Sequence, residues 1–213
     1  KGVGLIMGKE DRTIRGKTYH LYVLQLEKAL IRVQIDGKTA TSVRPVMSEE
    51  ELKDVYTVLS DRETKANQTT WNRRYREYVQ NINSGEPLKI ASVLRELEMF
   101  NIRKPLSFGE SKMHSKALDL VVEEGAHTLL RPKLEDFRKT LVEQTEQDVL
   151  NQTIEFIDVE IPHLKERVQD TITKLFEDER KAAAAEAAER EKQRKSRKSS
   201  ASNSAEPAKE EPK

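Results

Sequence analysis

The segment TTWNRRYREYV, residues 69–79, combines the only tryptophan of the chain with a cluster of arginines. A guanidinium group binds phosphate through forked donors, and an inserted apolar ring can wedge against bases at a distorted DNA step. Trp71, Arg73, Arg74 and Arg76 therefore have the chemistry of a surface that binds opened DNA.

The same residues also fit the buried face of a helix. Trp71, Tyr75, Tyr78 and Ile82 are spaced by 4, 3 and 4 positions, which places them on one helical face. On pattern alone this spacing favours burial in a core. However, Trp71 falls in the first turn, at the end of the apolar stripe, where a ring can protrude. The residues alone leave both interpretations open.

Other kinds of site find little support in the sequence. The glycines of GVGLIMGK do not keep the spacing of a phosphate-binding loop, and the histidines are scattered without metal-ligand spacing. Carboxylate pairs fall in first helical turns or on solvated faces, and the chain has no cysteine. We therefore expect a protein that is not an enzyme and uses neither a metal nor another cofactor.

Composition limits how the chain can fold and bind. With 35% charged residues, a chain of 213 residues is too polar for one core along its whole length, so part of it should be extended or disordered. The formal charge of +1 means that nucleic-acid binding must depend on local clusters. No apolar run approaches the roughly 20 residues of a membrane span, and no signal peptide is visible. We expect a soluble, cytoplasmic protein without membrane contact.

The order of patterns predicts an α+β fold. Residues 1–46 contain strand-like runs, which indicate a small β-barrel or sandwich of four or five strands, the last at residues 42–46. Residues 47–128 predict a compact domain of four helices. Capping boxes start the first and the fourth at Ser48 and Ser107, and Gly85 ends the second.

The last part of the chain predicts a helical extension, residues 129–195, followed by a disordered tail at 196–213. An apolar seam runs along the extension at helical spacing and needs a partner surface. Its residues are Ile161, Leu164, Val168, Ile172 and Leu175. The seam could pack back on the helical domain or bind another protein.

Residues 69–120 closely resemble the helical domain of the CarD/CdnL family of bacterial RNA polymerase-binding transcription regulators. The resemblance lies in W-x-R-R-Y, the S-G before the third helix, V-x-R-x-L and L-S-x-G-E-x-K-M. Upstream, GVGLI, DRTIRGKTYHLYVL, RVQI and VRPVMSEEEL look like the family's Tudor-like polymerase-interacting domain, a β fold shared with transcription-repair coupling factor. The likeness covers about residues 1–128. Because the family usually has a strand before these glycines, we expect the β domain to be truncated at its N-terminus.

The resemblance implies a non-catalytic, nucleoid-associated factor. Its β domain would dock on the polymerase β subunit, and its helical domain would bind promoter DNA at the upstream edge of the bubble and stabilise the open complex. Family positions match Trp71 to a minor-groove wedge and Arg73, Arg74 and Arg76 to its basic flank, with Lys112 as a further DNA contact. They also match Arg12 and Arg32 to the polymerase contact.

Two simpler interpretations stand beside this one. Arg12 and Arg32 could be ordinary exposed charges on strands. The chain could also be a helical scaffold that binds a protein partner through residues 161–175 without touching DNA.

Overall fold

The computed structural model describes residues 2–26, 29–35, 43–61, 69–141 and 145–203. Within them, an N-terminal antiparallel sheet is followed by five helices, which confirms the α+β prediction. No helix in the described ranges is both long enough and apolar enough to cross a membrane.

The sheet has three strands in the order β1-β2-β3, namely β1 (Leu5–Ile14), β2 (Lys17–Leu26) and β3 (Ala29–Gln34). Arg15 and Gly16 join the first two strands, and both have positive φ, 54° and 76°. A two-residue type I′ turn requires this geometry, which matches the right-handed twist of the strands. A register shift between Ile6 and Gly8 marks a β-bulge, and β1 continues through Gly8.

The expectation of four or five strands is wrong for the described residues. The expected last strand, at 42–46, is not a strand at any of its described positions, which begin at 43. Here Arg44 donates to the carboxylate of Glu124 at 2.5 and 2.7 Å and to the carbonyl of Gly85 at 2.7 Å. The backbone amide of Met47 donates to the same carboxylate at 3.0 Å. This segment is a connector fastened to the helices instead of a sheet strand.

Local sequence signals set the ends of the helices. The helices are α1 (Glu49–Ser60), α2 (Trp71–Ser84), α3 (Pro87–Arg103), α4 (Phe108–Thr140) and α5 (Glu146–Asn203). Both predicted capping boxes form, at Ser48 with Glu51 and at Ser107 with Glu110. Gly85 ends α2 in the left-handed conformation, with φ 72°.

The apolar seam of α5 packs inside the molecule. Val168, Ile172 and Phe176 are buried in the core that α1, α2, α3 and α4 also form, and Leu164 is buried against Ala126. Of the two alternatives for residues 161–175, the structure shows packing on the helical domain and not a face open to another protein, because α1, α3 and α4 cover it. At the C-terminal end of the seam, Arg180 forms an ion pair with the buried Glu98 of α3.

The long helices cross the expected domain boundaries. Helix α4 continues past residue 128 and through Pro132 to Thr140. Helix α5 runs to Asn203, beyond residue 195, where the disordered tail was expected to begin. Residues 204–213 of that tail lie outside the described residues.

Candidate nucleic-acid interface

Trp71 opens α2 and is neither sealed in the core nor free of it. The indole is half-buried and packs on the edge of the helical core. Its ring centroid is 5.5 Å from that of Tyr75 and 6.3 Å from that of Tyr78, with tilted planes in both cases. Gly109, in the first turn of α4, lies directly against the indole. A methyl group at this position would come within 3.0 Å of Trp71 Cζ2. One side of the ring therefore packs on the core, while part of it remains accessible.

Arg74 lies behind the indole and points into the protein. Its residue is 8% exposed, and Nη2 donates to Glu110 Oε1 at 2.9 Å. The guanidinium carbon is 4.2 Å from the ring centroid of Phe100 and 5.8 Å from that of Trp71. Nε and Nη1 have no hydrogen-bond partner in the described part of the chain, so these aromatic faces are their main surroundings. Arg74 thus supports the tryptophan and is not presented to solvent.

Glu110 fixes this arginine from α4. Burial acts to raise the pKa of the Glu110 carboxyl, but hydrogen bonds from Ser107 and Arg74 outweigh it and hold the pKa below its ordinary value. The carboxylate therefore stays charged at neutral pH. It joins the capping box of α4 to the first turn of α2, which sets the relative position of the two helix starts.

Several polar and aromatic residues of α2 face outward, among them the other two arginines of the cluster. Arg73, Tyr75 and Arg76 are exposed, and Tyr75 is 45% exposed. Arg73 Nε lies 3.6 Å from Glu77 on the next turn, a distance that allows only a weak surface pair. Two exposed cations therefore follow Trp71 in the first turns of α2.

Lys112 lies on α4, in the second turn of that helix. It is exposed and lines a shallow concave surface on the first three turns of α4. The residues of this surface, called here the α4 groove, are Phe108, Ser111, Lys112, Ser115, Lys116, Asp119 and Leu120.

A second cluster lies on one face of the sheet. Arg12 of β1 and Arg32 of β3 both donate through Nε to the Glu10 carboxylate, at 2.7 and 2.6 Å. The hydrogen bonds from Arg32 and then Arg12 hold the pKa of Glu10 below its ordinary value. Both arginine side chains remain about half exposed, at 50% and 42%. The two arginines predicted to contact one partner thus share a single surface.

A comparison with known families matches the part of the chain that carries Trp71, its arginines and Lys112. Residues 54–132 match the family model described as CarD, C-terminal domain, and this range includes α2, α3 and most of α4. Over these residues the chain is similar to the CarD C-terminal domain, in agreement with the resemblance of residues 69–120 to the CarD/CdnL family.

Sequence reasoning missed the carboxylates that organise both clusters. Glu110 was recognised only as a capping residue, and its pairing with Arg74 spans 36 positions. Glu10 carried no signal of its own, because its contact with Arg32 depends on strand order. The exposed Phe108 was also missed. Its position between the two residues of the capping box, Ser107 and Glu110, could have indicated a solvent-facing first turn.

Proposed function

We propose that this protein stabilises the open promoter complex by binding RNA polymerase through its sheet and opened DNA through Trp71. The observation that carries the proposal is the half-buried indole, held from behind by Arg74 and flanked by the exposed Arg73 and Arg76. An aromatic ring fixed in this way can enter a widened groove without first losing conformational freedom.

The energetic requirement is small. A factor shifts an equilibrium only through its differential affinity for the two states, so the ring must contact opened DNA better than paired DNA. About 1.4 kcal/mol changes the ratio of open to closed complex tenfold, and one base stacked on an aromatic ring can supply about that much. Exposed arginines add phosphate contacts that do not depend on strand separation.

The roles of the four residues first grouped together therefore divide. Arg73 and Arg76 would bind phosphates, and Lys112 would extend that contact along α4. Arg74 would position the indole without touching DNA, since its side chain is 9% exposed and paired with Glu110.

For the polymerase contact we propose the sheet face that carries Arg12 and Arg32, with the β subunit as the partner. Glu10 holds the two guanidinium groups at one place while leaving each about half exposed. Arginines aligned in this way suit an acidic surface on a partner protein. The protein would act without catalysis, in the cytoplasm and at the nucleoid, where polymerase and promoter DNA are found.

The rival function, a scaffold that binds another protein through residues 161–175, loses its main support. That seam is buried against the protein's own helices. A scaffold role would need a different surface.

The DNA part of the proposal can be tested by fluorescence anisotropy with labelled DNA that contains either a central bubble or only paired bases. Wild-type protein should prefer the bubble, and Trp71→Ala should weaken bubble binding about tenfold while leaving duplex binding nearly unchanged. Arg73→Ala and Arg76→Ala should weaken both DNAs equally and lower the salt slope by about one for each lost phosphate contact. Equal bubble preference for wild type and Trp71→Ala would contradict the proposal.

The docking part needs a separate measurement. Arg32→Glu should abolish capture of the chain by immobilised polymerase β subunit, because it replaces a donor with a repelling charge beside Glu10. Trp71→Ala should be captured as well as wild type. Undiminished capture of Arg32→Glu would exclude this sheet face as the docking site.

A further inference from the structure

Phe108 is the most exposed of the large apolar residues in the described ranges, at 87%. Isolated exposed apolar residues are common on protein surfaces, so exposure alone does not identify a function. Three further features indicate one for Phe108. They are its fixed backbone, its place next to Gly109, which lies against Trp71, and its charged neighbours.

The backbone at Phe108 is held firmly. Ser107 and Glu110 form the capping box on either side of it, with the Ser107 amide donating to Glu110 Oε2 at 3.0 Å. Glu110 is in turn anchored by Arg74 at 2.9 Å. The ring of Phe108 is thus exposed on a first turn of α4 that the fold already holds in place. Binding therefore costs little additional backbone entropy at this residue.

The position of Phe108 is also tied to that of the tryptophan. The next residue, Gly109, has no side chain and lies directly against the indole, so that a methyl group there would approach Trp71 Cζ2 to 3.0 Å. The two aromatic rings therefore flank the meeting point of α2 and α4.

The surroundings of Phe108 are charged and polar. Lys112 and Lys116 follow at intervals of four residues, which places them on the same face of α4 as the phenyl ring. Ser111 and Ser115 add hydroxyl groups along the α4 groove, and Asp119 lies at its far end. An aromatic ring followed by lysines and hydroxyl groups suits a single nucleic-acid strand, which offers a base to the ring and phosphates to the cations. A protein partner would be expected to require more exposed apolar area than one phenyl ring.

We propose that Phe108 stacks on an unpaired base next to the site of Trp71, while Lys112 and Lys116 bind phosphates of the same DNA strand. This inference rests on the proposed function and extends it. It assigns a second aromatic contact and the α4 groove to a single-stranded segment at the edge of the bubble.

The test uses bubble DNA with the fluorescent base 2-aminopurine placed at successive unpaired positions. With the full chain, one position should show quenching that persists in Trp71→Ala and is lost in Phe108→Ala. Phe108→Ala should also weaken bubble binding about tenfold. Phe108→Tyr should restore both signals, because it keeps the aromatic face. The matched control is Leu88→Ala, which removes a 43% exposed apolar side chain from α3 and should change neither.

The two proposals fail in different ways. If wild-type protein shows no preference for bubble DNA, the proposed function fails and the inference falls with it. If Trp71→Ala loses the preference while Phe108→Ala binds and quenches like wild type, the inference alone is overturned.

Discussion

Two arginine-glutamate clusters in this molecule use the same chemistry in different surroundings. On the sheet, Glu10 accepts from Arg12 and Arg32 at a surface where both arginines are about half exposed. Between α2 and α4, Glu110 accepts from Arg74 where the two side chains are 9% and 16% exposed. In the proposed function the exposed arginines contact a partner, whereas the buried one positions Trp71. The difference in burial between the clusters is the basis for these different roles.

The largest expected difference between the clusters is in stability. Arg74→Ala should lower the free energy of unfolding by about 2 kcal/mol, because it leaves a partly buried carboxylate without its charged partner and removes packing from two aromatic rings. Urea unfolding followed by far-ultraviolet circular dichroism measures the change. Arg76→Ala, an exposed neighbour on the same helix, is the control and should stay within about 0.5 kcal/mol of wild type. An equal loss of unfolding free energy in both variants would contradict a structural role that Arg74 has and Arg76 lacks.

An intermediate effect is expected when the two carboxyl groups titrate. Both pKa values lie below the ordinary value of 4.5, so each ion pair contributes stability above that pH and loses it as pH falls through the lowered pKa. At about 1 M salt, the pKa of Glu10 should rise towards 4.5, because solvent ions screen an exposed pair, while that of Glu110 should change less. Carbon-detected nuclear magnetic resonance of the side-chain carboxyls follows both groups. A larger salt-dependent change in the pKa of Glu110 than in that of Glu10 would contradict the expectation that the buried ion pair is screened less.

The smallest expected effect is on the stability of the sheet. Arg12→Ala should leave the unfolding midpoint almost unchanged, since exposed ion pairs contribute little. The same variant should weaken capture by the polymerase β subunit. A marked loss of stability would mean that the main role of Arg12 is to stabilise the sheet and not to bind a partner.

The sequence predicted those features that depend on neighbours along the chain. The capping boxes at Ser48 and Ser107 and the left-handed Gly85 are local devices, and all three are confirmed. The motifs of the CarD/CdnL resemblance at residues 69–120 lie within the family match, whereas the upstream motifs lie outside it.

Features that depend on distant contacts could not be read in this way. The burial of Arg74 requires Glu110 and Phe100, which other helices supply. The segment at 43–46 has strand-like residues. However, Arg44 forms an ion pair with Glu124, 80 positions away, and this pair holds the segment against the helices. The α5 seam matched two partners equally well on pattern, and only the packed fold selects the protein's own core.

The lifetime of the open complex on a promoter with cognate polymerase tests the central claim most directly. If the half-buried indole binds separated strands more tightly than paired strands, Trp71→Ala should shorten that lifetime about tenfold. The comparison is made at concentrations where the variant still saturates the polymerase. A lifetime equal to that with wild-type protein, under the same saturation, would contradict the account.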